Sequence, residues 1–180
     1  VVGRLRTSLA GLGGSVKFLR ADFRAKQYYP LTEKFIGSLG VRGGYIQGLG
    51  EDVRIVDRFF LGGKSLRGFK ASGVGPRDKT TGDAVGGKLM YAGTAQIMFP
   101  LGLPNEFGLK GRLFSDIGSL TNSESTSANI NENKSLRASV GFGLSWKSPI
   151  GPLLIDFTHP ILKKDFDQTE VVRFDIGARF

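Results

Sequence analysis

The stretch that decides the fold is LRASVGFGLSWK, residues 136–147. Its apolar side chains share one parity, from Leu136 through Phe142 to Trp146, and the other parity holds arginine, serine, glycine and lysine. Successive side chains of a β-strand point to opposite faces, so the alternation predicts a strand with one apolar and one polar face. The run is about twice as long as an ordinary globular strand of five or six residues.

The same alternation recurs in seven further segments of the chain. Several reach nine or more residues, which is the length that a tilted strand needs to cross a bilayer. No helical period extends beyond one turn, and no run of eighteen apolar residues predicts a membrane-spanning helix. The predicted fold class is all-β, an antiparallel transmembrane β-barrel of which eight strands are present. The further segments are 5–9, 19–25, 35–49, 89–99, 109–117, 153–159 and 171–180.

The connections between these segments alternate in length. Short turns that carry proline alternate with longer joints, a rhythm typical of an outer-membrane barrel and not of a soluble sandwich. No linker divides the chain, so residues 1–180 are predicted to form one barrel domain. The short turns are 29–32, 100–105 and 148–152, and the longer joints are 50–87, 121–134 and 163–170.

The formal charge of +9 is the feature that would favour nucleic acid or another anionic partner. About half of the 25 lysine and arginine residues, however, fall on the polar parity of the strands. If the apolar parity faces lipid, these charges face the lumen, because a charge facing lipid at mid-bilayer costs about 2–4 kcal/mol. Most aromatic residues lie on the opposite parity, which argues against a groove for nucleic acid. A soluble, basic, nucleic-acid-binding barrel remains the alternative.

Residue types that commonly form catalytic or metal sites are scarce in this chain. The chain has no cysteine and a single histidine, His159, which excludes disulfide scaffolds, thiol nucleophiles and histidine metal clusters. Gly63-Lys64-Ser65 is similar to the end of a phosphate-binding loop, but Arg58 stands where that motif needs glycine. The acids of 163–170 predict a solvated loop, with a weak calcium site as the alternative. We therefore predict no catalytic residue, no metal, no cofactor and no enzymatic activity.

The longest joint, 50–87, is the most informative segment. It is glycine-rich but also carries FFL at 59–61 and LRGF at 66–69. Structureless loops beyond about fifteen residues are usually functional or disordered, and the apolar cluster here argues for burial. The lumen of the barrel is the place available. We expect the loop to lie inside it, where the inward glycines Gly141, Gly143 and Gly177 leave room.

Four stretches together carry a family resemblance. FFLGGKSLRGF at 59–69 is similar to the signature of a long sixth loop, and FSDIG at 114–118 to an aspartate-bearing strand. WKSPIGPL at 146–153 is similar to a penultimate hairpin, and 174–180 to a terminal targeting signal that ends in an aromatic residue. In order and spacing they resemble the BamA-type outer-membrane assembly factors of the bacterial surface antigen superfamily, over nearly the whole chain.

The resemblance implies a set of site residues in the loop and the wall. The motif Leu66, Arg67, Gly68 and Phe69 is expected to fold into the lumen, where Arg67 meets Asp116. The family usually has a second acidic partner for this arginine, and that position is Gln96 here, a neutral hydrogen-bond acceptor. The terminal strand is expected to form one lip of a lateral seam, with Phe174, Ile176, Gly177 and Phe180 as its signal.

The resemblance also implies size and function. The family barrel has sixteen strands and follows a periplasmic arm, so these eight strands match its C-terminal half, either as part of a longer chain or as one of two assembling halves. The implied function is insertion of outer-membrane β-barrel proteins by an integral protein of the bacterial outer membrane. The implied partners are unfolded outer-membrane proteins, accessory assembly lipoproteins and the lipid bilayer, without nucleic acid. A polypeptide transporter of the same superfamily is the alternative.

Overall fold

The computed structural model describes residues 2–10, 17–50, 52–121, 129–148 and 151–176, and within them the chain is all-β. Three-residue 3-10 helices occur at Ile55–Asp57, Gly63–Ser65 and Asn105–Phe107. Among the described residues no helix reaches the length and hydropathy of a membrane span. The strands are β1 (Val2–Ala10), β2 (Phe18–Pro30), β3 (Ile36–Gly48), β4 (Arg77–Asp78), β5 (Leu89–Pro100), β6 (Leu109–Thr121), β7 (Ile130–Asn131), β8 (Arg137–Ser148), β9 (Gly151–Leu162) and β10 (Val172–Ile176).

Eight of the strands form one antiparallel sheet in the order β1-β2-β3-β5-β6-β8-β9-β10. The prediction of an all-β, antiparallel fold with eight strands is confirmed. Strand β3 is a full strand of 13 residues, although its alternation is weak in the sequence. Its polar face contains Gly40 and Gly44 as well as Arg42, and glycine gives no hydropathy contrast. The two-residue strands β4 and β7 pair with each other and are too short to produce a pattern.

The two faces of the sheet differ in chemistry. We call the face that carries Arg42, Gln96 and Asp116 the inner face, and the opposite one the outer face. Large apolar side chains project from the outer face of every strand of the sheet and remain exposed. Such a broad exposed apolar surface is what a bilayer requires and what water penalises. Examples are Leu5, Phe23, Leu39, Tyr91, Leu113, Phe142, Trp146, Phe157 and Phe174.

The hydrophobic core lies between the inner face and the long loop, residues 49–88, which joins β3 to β5. Loop residues Val53, Phe59, Leu61, Leu66, Phe69 and Val74 pack with Ile46, Met90, Ala92 and Leu120 of the strands. The loop is therefore packed against the wall, as its apolar cluster predicts.

Residues 51, 122–128 and 177–180 fall outside the described ranges, so the expectation for Gly177 and Phe180 lies outside them too.

Glycines of the inner face create room for inward side chains. A Cβ atom at Gly44 would stand 2.5 Å from the ring of Phe59 in the loop. At Gly141 it would stand 2.6 Å from the ring of Phe114 on β6. The expectation that Gly141 leaves room for the loop is therefore wrong, because an aromatic ring of the wall occupies that space, whereas Gly44 makes room for the loop.

The apolar outer face gives a testable consequence at Phe142, in the middle of β8. Its ring is half exposed and stacks on Phe157 at 5.0 Å between centroids. We expect Phe142→Arg to lower the free energy of unfolding in lipid vesicles by about 2–4 kcal/mol, because the charge would face hydrocarbon. Phe142→Leu keeps the apolar character and should cost less. Equal losses from the two variants, measured by denaturant titration, would contradict a lipid-facing surface.

Candidate functional site

The loop motif 66–69 sits directly after the 3-10 helix Gly63–Ser65 and is buried. Leu66 and Phe69 are fully inaccessible, and Arg67 is 8 % exposed. Gly68 has a φ of +89°, in the left-handed region that favours glycine. A Cβ atom there would also stand 3.0 Å from the side chain of Ser139 on β8. Local backbone and packing both therefore require glycine after Arg67.

Arg67 makes a fork-to-fork contact with Asp116 on β6. Its Nε donates to Oδ2 and its Nη2 donates to Oδ1, both at 2.8 Å. The Arg67 backbone amide also donates to Asp116 Oδ2, at 3.0 Å. The remaining Nη1 donates to Gln96 Oε1 at 3.1 Å, and the guanidinium lies 3.5 Å from the centroid of the Phe114 ring. The structure thus brings together Arg67, Asp116 and Gln96.

Strand register explains why these wall residues converge. Thr94, Asp116 and Ser139 are direct cross-strand partners on β5, β6 and β8, so they form one row on the inner face. Thr94 Oγ1 donates to Asp116 Oδ1 at 2.8 Å, and Ser139 Oγ donates to the Arg67 carbonyl at 2.5 Å. Gln96 and Phe114 are partners in the adjacent row. With Asp116 only 1 % exposed, the carboxylate is buried and fully hydrogen-bonded.

The motif continues into a strand-like contact with the segment that leads to β10. The Glu170 amide donates to the Gly68 carbonyl at 3.0 Å, and the Lys70 amide donates to the Gln168 carbonyl at 2.9 Å. The Gln168 amide donates in turn to the Gly73 carbonyl at 2.9 Å. The loop is therefore bound by backbone hydrogen bonds to residues 168–170 and by side chains to β6.

Strand β10 itself faces the loop with its charged side. Lys64 Nζ lies 3.0 Å from Asp175 Oδ1, and Arg173 contacts both Asp175 and Glu170. Phe174 and Ile176, predicted as part of the terminal signal, point to the outer face and are more than half exposed. The structure therefore places them away from the loop motif, on the lipid-facing side of the same strand.

A second cluster of charges fixes the start of the loop. Asp52 accepts from Lys88 Nζ at 2.5 Å and from Arg58 Nη2 at 3.0 Å, while Arg58 Nε donates to the Val53 carbonyl at 2.9 Å. The hydrogen bond from the Lys88 ammonium, together with the Val53 amide, holds the pKa of Asp52 below its ordinary value. The two ends of the loop are thus joined by an ion pair.

Two buried ion pairs were not predicted from the sequence. Arg137 on β8 donates from Nε and Nη2 to both carboxylate oxygens of Asp167, at 3.0 and 3.2 Å, and both side chains are fully buried. The prediction that Asp167 belongs to a solvated loop is therefore wrong, because the inward Arg137 draws this carboxylate into the protein. Among the described residues no group of acids, histidines or cysteines could hold a metal ion.

The second of these pairs joins Arg112 on β6 to Asp156 on β9, with Nη2 2.5 Å from Oδ1. Gly143 lies between them in the register and leaves the space for this contact. Parity alone places Arg112 inward, but only the register across β6, β8 and β9 identifies its partner. A glycine between an inward arginine and an inward aspartate was the available signal.

The chain as a whole is similar to known proteins. All of residues 1–180 match the Omp85 superfamily domain. The chain belongs to the Omp85 superfamily. It is similar to the outer membrane protein assembly factor BamA of Neorickettsia risticii (strain Illinois), with 40 % identity over 179 residues, which are 98 % of this chain and 24 % of that protein. The predicted family resemblance and outer-membrane location are confirmed.

Two further relatives extend the comparison. A sorting and assembly machinery component 50 homolog of Mus musculus is 31 % identical over 191 residues, which cover 98 % of this chain and 40 % of that protein. The crystal structure of BamA from Haemophilus ducreyi lacking POTRA domains 1–3 matches with a TM-score of 0.83 at 24 % identity. That match covers 96 % of this chain and 37 % of the other, and it shows a shared fold. The chain spans about a quarter of the length of the Neorickettsia relative.

The Arg67–Asp116 contact predicts a strong effect of Arg67→Ala on the loop. The variant leaves a buried carboxylate without its counter-ion, which costs about 3–5 kcal/mol. We expect protease to cleave the loop much faster in this variant than in the parent protein. Lys70→Ala, which truncates an exposed side chain three residues away, is the matched control and should leave the cleavage rate unchanged. Full protease protection of the Arg67→Ala loop would contradict the anchoring role.

The Asp52 cluster predicts an acid-sensitive end of the loop. A carboxylate whose pKa is lowered by folding stabilises the folded state above its unfolded pKa of about 3.9. That stabilisation is lost as the pH falls through the lower folded value. Asp52→Asn should therefore flatten the pH dependence of unfolding below about pH 4, relative to the parent protein. Identical pH profiles for the two proteins would exclude this contribution.

Proposed function

We propose that the protein carrying this chain assembles β-barrel proteins into the outer membrane. The observation that carries the proposal is the double attachment of the long loop. Arg67 fixes it to Asp116 in the wall, and residues 68–73 hydrogen-bond to the segment that leads to β10. Membership of the Omp85 superfamily and the likeness to the assembly factor BamA and to the sorting and assembly machinery component 50 homolog support the same function.

The proposed working surface is the free edge of β10. Within the described residues this strand pairs with β9 through five residue pairs, and its other edge has no partner strand. Such an edge presents a row of backbone donors and acceptors that templates an added strand. In the proposed mechanism an unfolded outer-membrane protein pairs with this edge and grows its sheet from it.

The proposed role of the loop is to hold the edge in place. Residues 168–170 are bonded to the loop on one side and continue into β10 on the other, so a fixed loop gives the strand a fixed starting point. Leu66 and Phe69 contribute apolar burial, while Arg67, Asp116 and Gln96 give the position. These residues are anchors, and the proposed work is non-enzymatic because no bond of the substrate is made or broken.

The surroundings proposed for the chain follow from its two faces. The outer face with its apolar side chains would contact the lipid bilayer directly. The inner face, with the loop at 50–87, would line the lumen of a larger barrel, of which residues 1–180 would be the C-terminal part. Accessory assembly lipoproteins are proposed as partners on the strength of the family resemblance.

Insertion assays with the whole protein in proteoliposomes test this function. An unfolded reporter barrel should fold into the bilayer faster with the protein than with empty liposomes. Asp116→Asn should slow that insertion by at least about tenfold, since it removes the charge that holds Arg67. The control is Asp83→Asn, an exposed aspartate of the same loop, which should insert the reporter normally.

The same assay separates the alternative function from the proposed one. A polypeptide transporter would deliver the reporter into the vesicle interior, protected from protease but not folded in the bilayer. Heat-modifiable gel migration of the reporter marks its insertion into the bilayer. The same gel measurement on each variant protein verifies that the variant itself is folded. Reporter found inside the vesicles without insertion would contradict the proposal.

A further inference from the structure

A row of three arginines crosses the inner face on strands β1, β2 and β3. Arg4 on β1 is the direct register partner of Arg24 on β2, and Arg24 is the direct partner of Arg42 on β3. All three belong to the inner face. Like charges directly opposite one another on neighbouring strands are destabilising, so the row calls for a compensating negative charge.

No carboxylate of the described residues forms an ion pair with this row. The side chains of Arg4, Arg24 and Arg42 form no hydrogen bond or ion pair within them, and the buried Nε of Arg42 has no acceptor. The nearest acid in the register is Asp22, one row away, beside Arg20 at 4.0 Å. A guanidinium nitrogen shielded from water without an acceptor is costly, and such groups are rare.

The row opens onto a cavity of about 530 Å³ between the wall and the loop. Lys64 and Arg67 of the loop and Arg112 of β6 line its other side, so the cavity adjoins the loop motif. The two aspartates of the lining are already engaged, Asp156 by Arg112 and Asp175 by Lys64 and Arg173. Arg112, only 4 % exposed, also keeps a buried Nε without an acceptor. The cavity therefore has an excess of positive charge and unused donors.

We propose that this cavity binds a phosphate-bearing anion. Neighbouring strands lie about 4.8 Å apart, so three arginines in a row span about 10 Å. A diphosphate carries several charged oxygens on two phosphorus atoms and can accept from more than one of these long arginine side chains, whereas one carboxylate carries a single negative charge. The volume is in the range of small-ligand sites, about 300–1,000 Å³. The phosphate comes either from a soluble diphosphate or from a lipid headgroup.

Calorimetric titration tests the site on the whole protein in uncharged maltoside micelles. The two probes are inorganic diphosphate and a short-chain phosphatidic acid, at low and at high salt. We expect saturable binding that weakens with salt, and at least about tenfold weaker binding to Arg42→Gln and to the double variant Arg24→Gln/Arg42→Gln. Lys34→Gln, in the exposed turn after β2, is the charge-matched control and should bind like the parent protein.

Thermal unfolding supplies a readout that does not depend on calorimetric heats. Without ligand, Arg42→Gln should unfold at a higher temperature than the parent, because one like-charge contact is removed. Diphosphate should raise the unfolding temperature of the parent and not of the variant. Binding of diphosphate alone supports a soluble source, and binding of phosphatidic acid supports a lipid headgroup. Absence of saturable binding of both probes, or equal binding by Arg42→Gln and the parent, would overturn the proposal.

Discussion

The buried pair between Arg67 and Asp116 is the constraint on which the placement of the loop depends. Taking two charges out of water is costly, so a buried pair adds little stability by itself. The pair is tolerated here because both carboxylate oxygens of Asp116 accept hydrogen bonds from Arg67 or Thr94. Apolar burial of Leu66 and Phe69 supplies the stabilisation. The pair supplies position, because a displacement of the loop that separates Arg67 from Asp116 leaves buried charge without its counter-ion.

That position has consequences at the edge of the sheet. The loop residues that follow Arg67 extend the hydrogen bonding to 168–170, the segment from which β10 begins. Lys64, just before the motif, contacts Asp175 within β10. One loop therefore contacts the middle of the sheet and its terminal strand. This connection offers a physical route by which the state of the loop and the state of the edge depend on each other.

The fold was predictable because membrane strands are long and two-faced. Residues 136–147 alone assign one strand, and their parity places Arg137 inward. The alternation of apolar and polar residues is weak in β3, where glycine occupies inner-face positions 40 and 44. Strands of two residues are too short to show any alternation. The Arg67–Asp116 contact followed from family resemblance and inward parity. The partners of the other inward charges could not be predicted from the sequence. Asp167 lies in an irregular segment that has no periodicity, and the row of Arg4, Arg24 and Arg42 is recognised only when the register of three strands is known.

Amide hydrogen exchange of the whole protein in micelles tests the central claim most directly. The account predicts slow exchange for residues 66–74, whose amides at Arg67, Lys70, Gly73 and Val74 donate to Asp116, Gln168, Lys70 and Leu61 inside the protein. The amides of 79–83 in the same loop are hydrogen-bonded too, but within an exposed turn that opens locally, so they should exchange far faster. Exchange of 66–74 at the rate of 79–83 would contradict a loop fixed to the wall.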